Sequence, residues 1–200
     1  MDSFPHIHCI FYAEFDIIQG PRVVYQVPEG FVYAPPRNST LSTLPIVPDT
    51  FGVESPFMLP GTPQQGMSGN SSSRDIQFDA LSEYILPKQE LHGRLVAIST
   101  QDFKIVGLPV SIEDPKYERN TLLFNVCFVF DREAATGCYD QVVRKIAREL
   151  KALELECDLI HNPATKPEVL NIIEQLMHDL NTYFECQIPI SSLRSQSSHH

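Results

Sequence analysis

The chain has 200 residues, with 25 acidic against 15 basic side chains and a formal net charge of −10. That length suits one domain, and 42% hydrophobic residues, aromatics included at 10%, suffice for its core. No stretch approaches 18 uncharged apolar residues, which excludes a membrane-spanning helix, and the negative charge argues against sequence-independent binding to nucleic acid.

Met1 to Phe15 has no basic start, no long apolar run and no small-residue cleavage site, so no secretory signal is expected. Ile7 to Phe15 alternates instead. Ile7, Cys9, Phe11, Ala13 and Phe15 share one face, and His8, Tyr12 and Glu14 share the other, as in a strand. Gly20-Pro21 marks a turn, and Arg22 to Val27 is a second run rich in valine and tyrosine. A β-hairpin with a medium-length connection is predicted.

The 16 prolines stand out beside 9 glycines. Seven of them fall between Ala34 and Ser73, with four glycines, seven serines and three charged residues. No period survives there, and the stretch cannot bury enough apolar surface to offset the entropy of ordering it. Residues 34–75 are therefore predicted to be a proline- and serine-rich disordered insertion. Ser55-Pro56 and Thr62-Pro63 are candidate phosphorylation sites within it, and Phe51 to Val53 and Phe57 to Leu59 are its apolar pieces. The Asn38-Ser39-Thr40 and Asn70-Ser71-Ser72 glycosylation patterns carry no weight without a secretory route.

After the insertion, Phe78 to Ile85 is predicted to be a short helix, capped by Asp79 and ended by Pro87. Strands follow over Arg94 to Ser99, Lys104 to Ile112 and Leu122 to Phe130. The last is apolar on both faces apart from Asn125, as a central strand covered on both sides should be. Tyr139, Val142, Ile146, Leu150, Leu153, Cys157 and Ile160 form the apolar stripe of one helix, with Arg144, Lys145, Arg148, Glu149, Lys151 and Glu154 on its solvated side. A second helix starts near Pro167 and carries Val169, Ile173, Leu176, Leu180 and Tyr183. Residues 191–200 read as a polar tail or truncation point.

Cys9, Cys127, Cys138, Cys157 and Cys186 are an odd, irregularly spaced set without a CxxC pair, so reduced and mostly buried thiols of a cytosolic protein are expected. His6 and His8 would share a strand face near Cys9, but no third ligand is in view and they read as ordinary histidines. There is no glycine-rich phosphate loop, HExxH or GxSxG. No cofactor, metal, bound nucleotide or stand-alone active site is expected.

The elements read β-β-(insertion)-α-β-β-β-α-α, an α+β architecture with a five-stranded antiparallel sheet between helices, which is the order of a longin domain. Ile10-Phe11-Tyr12-Ala13-Glu14-Phe15, with Gly20-Pro21-Arg22-Val23-Val24-Tyr25-Gln26-Val27-Pro28, resembles the opening of the nitrogen permease regulator 2-like family. So do Gly107-Leu108-Pro109-Val110, Lys116-Tyr117-Glu118-Arg119-Asn120, Leu123-Phe124-Asn125 and Phe128-Val129-Phe130. The hairpin alone is shared with DENN and folliculin-type longin domains; the Lys-Tyr-x-Arg-Asn run makes the resemblance specific. It covers residues 4–31 and 78–189, and implies a longin domain over 1–190 at the start of a longer protein.

The resemblance further implies a subunit of the complex called GATOR in animals and SEACIT in yeast. Its implied partners are a nitrogen permease regulator 3-like longin subunit, a DEPDC5/Iml-type subunit and a Rag-family GTPase. Such a complex stimulates GTP hydrolysis at the vacuole or lysosome and restrains TOR signalling under amino-acid or nitrogen starvation. Its implied arginine finger is Arg119, which by spacing alone reads as a solvated turn residue. Tyr117 is expected to pack beneath the loop and Asn120 to steady it. Two alternatives remain open: a non-catalytic longin scaffold that pairs with another longin domain, and a DENN-type exchange module.

Overall fold

The computed structural model describes residues 4–34 and 76–185. The predicted insertion and its phosphorylation candidates therefore lie outside the described residues, except Ala34, as do Cys186 and the 191–200 tail. Strand β1 (Cys9–Asp16) turns through Ile17–Gln19 into β2 (Gly20–Val27). Asp16 holds that turn, its Oδ1 accepting from the amides of Ile18 and Gln19 at 2.8 Å each. Gly20 meets the turn's geometry with φ 77°, a region L side chains adopt at a cost.

Two short strands, β3 (Val32–Tyr33) and β4 (Ile76–Gln77), pair in parallel at either end of residues 35–75. Neither is legible in the hydrophobic pattern. Helix α1 (Phe78–Ile85) follows with the predicted bounds, but Gln77 occupies its N-cap position and Asp79 lies inside the first turn. The main sheet adds β5 (Val96–Ser99), β6 (Phe103–Gly107), β7 (Val110–Glu113) and β8 (Thr121–Asp131), in the order β2-β1-β8-β6-β5, with β7 also on β8. Every pairing in it is antiparallel.

The expected α+β sheet between helices is what forms, with six strands instead of five. The predicted strand Lys104 to Ile112 divides into β6 and β7 at Leu108-Pro109, where proline has no N–H to give a ladder. The central β8 bonds to β1 on one side and to β6 and β7 on the other. Both of its faces are covered. Cys9, Phe11, Phe78, Ile85, Phe103 and Val129 form the core under α1. On the other face, Tyr12, Phe124, Phe128 and Phe130 pack beneath helices α2 (Asp140–Cys157) and α3 (Lys166–Glu185). Each large side chain fully buried contributes roughly 1.5–3 kcal/mol. The helical layer on that face buries Tyr12, and Glu14 on the same strand face is buried as well.

Helix α2 differs from its predicted stripe. Val143, Ala147 and Glu154 are its buried residues, while Leu153 and Cys157 are exposed. Val142, Ile146, Leu150 and Leu153 instead line an apolar groove of about 370 Å³ shared with α3. Ile160 lies beyond the helix, which ends where Asp158 turns left-handed at φ 51°. Of the four described cysteines, Cys9 and Cys127 are buried and Cys138 and Cys157 are exposed, so the thiols are less buried than expected.

One polar contact inside the apolar sheet has a clear purpose. Asn125 Nδ2 donates to the Ile85 carbonyl at 2.7 Å, satisfying an acceptor at the end of α1. Gly107 makes room for it: a Cβ there would stand 2.5 Å from Asn125 Oδ1 and 2.9 Å from Cys127 Sγ. Gly107→Ala should therefore destabilise the chain by about 1–3 kcal/mol through overpacking, read as a lower urea midpoint at unchanged slope.

Candidate functional site

Residues Asp114 to Asn120 connect β7 to β8, and the ladder closes on the Glu113–Thr121 pair just inside them. A short tether between paired strands lets the loop be specified by few bonds. The Asp114 amide donates to the Asn120 carbonyl (3.0 Å), Tyr117 N–H to the Asp114 carbonyl (3.2 Å), and Asn120 N–H to the Tyr117 carbonyl (2.9 Å). Asp114 Oδ1 also accepts from the Lys116 amide at 2.9 Å. Asn120 thus acts through its main chain at both ends of this lattice.

Arg119 and Asn120 are both left-handed, with φ 55° each. Asparagine tolerates that region, but for arginine it costs on the order of 1–2 kcal/mol. The conformation persists because the flanking bonds over-determine it. Its effect is to turn Arg119 outward: the residue is exposed and, among the described residues, its guanidinium has no ion-pair or hydrogen-bond partner, Glu118 included.

Beneath the loop, Tyr117 is 4% exposed and donates its hydroxyl to Glu154 Oε1 at 2.8 Å. Its ring meets His161 edge-on at 5.5 Å. Glu154 is 0% exposed, so its place on the solvated side of the helix is corrected. Its Oε2 accepts from the amides of Ile160 (2.7 Å) and His161 (3.2 Å), just past the end of α2. Lys116 completes the clamp. Its Nζ donates to the Glu154 carbonyl at 3.1 Å, pairs with Asp158, approaches Glu154 Oε1 at 4.0 Å and lies 4.8 Å from the Tyr117 ring centre. The hydrogen bond to Asp158 is the main reason that the Lys116 ammonium holds its proton above the ordinary lysine range.

Sequence reasoning missed Glu154 because a glutamate in a charged helical run is normally solvated. A signal was there: 143, 147, 150 and 154 lie on one helical face. Elsewhere, His8 Nε2 lies 3.0 Å from Asp131 Oδ1, and His6 packs edge-on against His8 at 5.3 Å. Among the described residues, no group of three or more His, Cys, Asp or Glu could hold a metal ion, and no helix is long and apolar enough to cross a membrane.

Burial pushes the Tyr117 phenol up to about 12; the Glu154 bond adds to this and Lys116 opposes it. An unfolded tyrosine ionises near 10, so this contribution to stability is whole below pH 10 and is lost as pH rises from 10 through 12. Tyr117→Phe, which removes a hydrogen bond to a charged acceptor, should cost about 1.5–3 kcal/mol at neutral pH. It should also flatten the fall in unfolding free energy above pH 10, measured by denaturant titration across that range.

The family model for nitrogen permease regulator 2 matches residues 5–166, which contain the sheet, α2 and the whole 114–120 loop. The chain is 32% identical over 176 residues to the GATOR complex protein NPRL2 of Drosophila melanogaster, covering 88% of this chain and 33% of that one. Identity to the nitrogen permease regulator 2 homolog of Schizosaccharomyces pombe is 30% over 195 residues, 97% of this chain and 40% of the relative. With nitrogen permease regulator 2 of Saccharomyces cerevisiae it is 24% over 165 residues, 82% and 20% of the two chains. The chain therefore spans between a fifth and two fifths of these relatives' lengths. A match that runs through the hairpin, the central strand and the arginine-bearing loop makes the chain a member of the nitrogen permease regulator 2 family.

Proposed function

We propose that this chain is the longin module of a GATOR/SEACIT-type complex subunit and that it offers Arg119 to GTP bound on a Rag-family GTPase. The observation that carries the reading is an exposed guanidinium without a partner, raised on a short, strained and heavily bonded loop. In GTP hydrolysis negative charge spreads over the γ-phosphoryl oxygens, and a guanidinium supplied in trans stabilises it. Arginine suits the task because its planar fork donates to two oxygens at once. A loop already rigid before docking loses little entropy on engaging the phosphate.

On this reading the chain has no reaction of its own. Through its complex, with a nitrogen permease regulator 3-like longin subunit and a DEPDC5/Iml-type subunit, it acts at the vacuolar or lysosomal membrane and inhibits TOR complex signalling when amino acids or nitrogen are scarce. The net charge of −10 is compatible with this chemistry, since one well-placed cation is required and not a basic surface.

In a single-turnover GTPase assay on the reconstituted complex, Arg119→Ala should cut stimulated hydrolysis by about 10³–10⁵-fold while the subunits still assemble. Arg119→Lys should not restore it. Full stimulation by Arg119→Ala would leave the chain as a scaffold. Accelerated nucleotide release without hydrolysis would make it an exchange module.

A further inference from the structure

A second basic feature lies on the opposite side of α2 from the apolar groove. Arg144, Arg148 and Lys151 recur at four- and three-residue steps, so they share one helical face. With His92 and Ser111 they line a cleft of about 350 Å³ floored by Leu108, Val110 and Ala147. It continues past Lys151 into a second hollow bordered by Gln89, Ile112, Glu113 and Leu155.

The cations there are poorly neutralised for so acidic a chain. Among the described residues, neither Arg144 nor Lys151 has a carboxylate within 4.0 Å, and Arg148 meets only Glu149 of its own helix, at 3.8 Å. One side of the cleft is also a strand edge. Among the described residues β7 pairs with β8 alone, and the Ser111 carbonyl is taken by Lys151 Nζ at 3.1 Å and not by another strand.

We propose that this cleft binds an extended acidic segment of a partner protein, its carboxylates meeting Arg144, Arg148 and Lys151 and its apolar side chains resting on Leu108, Val110 and Ala147. Charge complementarity selects an anionic occupant. The strand edge and apolar floor select an extended chain whose residues point alternately to cations and to hydrocarbon. Residues 34–75 hold only Asp49, Glu54 and Asp75 as acids, widely spaced, so the predicted insertion is a poor source of such a segment. The site does not depend on the finger reading, and its test involves no GTP.

The test is fluorescence anisotropy with full-length protein and a labelled peptide of alternating glutamate and valine. The acidic peptide should bind, more weakly as salt rises, and Arg144→Glu with Arg148→Glu should lower its affinity roughly tenfold or more. The glutamine–valine counterpart should not bind. An unchanged unfolding midpoint in the double variant keeps the loss attributable to charge. The proposal is overturned if the acidic peptide fails to bind, or if it binds the double variant equally well. It is equally overturned if inorganic phosphate or vesicles of anionic lipid displace the peptide from these residues, since the cleft would then be an anion or membrane site.

Discussion

The buried carboxylate of Glu154 is the contact through which the loop, α2 and the α2–α3 connection become one body. Taking such a charge out of water costs several kcal/mol. Here the cost is offset by the Tyr117 hydroxyl and two backbone amides, with Lys116 as a counter-charge at 4.0 Å. Charge-assisted bonds of this kind are short and directional, so they set positions as well as contributing energy. The Tyr25 hydroxyl, bonded to the Ile160 carbonyl at 3.0 Å, carries the same connection to β2. The hairpin and the arginine loop, distant in sequence, are thereby referred to one point.

That arrangement explains how a left-handed arginine persists. An isolated loop would relax Arg119 and Asn120 toward ordinary backbone angles. This one is closed by the β7–β8 ladder on one side and tied through Tyr117 and Lys116 to the end of α2 on the other. The strain is small beside the bonds that would have to break to release it. Its consequence is an arginine presented to solvent while Tyr117, two residues before it, is buried.

A second buried acid follows the same logic with a different partner. Glu14, 4% exposed, accepts from Arg22 at 2.6 and 3.1 Å across the hairpin and from the Tyr12 hydroxyl at 3.2 Å. Tyr12 in turn lies against Tyr25 and Phe124, with ring centres 5.6 and 5.5 Å away. Acids thus serve as interior fasteners in this fold, while the cations of α2 remain outside and largely unmatched. The charge balance is therefore uneven across the molecule despite the overall negative sign.

The sequence by itself determined the central strand, the hairpin, α1 and the sandwich of sheet between helices, because two-residue and three-to-four-residue periods report how a segment divides its faces. It also marked the arginine loop, through the family-like run from Lys116 to Asn120. Periodicity puts Glu154 on the inward face of α2 but could not supply the partner that makes its burial possible, a tyrosine 37 residues away. Nor could it divide β6 from β7 or find β3 and β4, which are too short to carry a period. Only the tertiary structure decided these points, and it alone made Arg119 left-handed and left its guanidinium without a partner among the described residues. The tyrosine partner of Glu154 lies far away in the chain and the backbone angles of Arg119 follow from the closure of its own loop, and a hydrophobic period records neither.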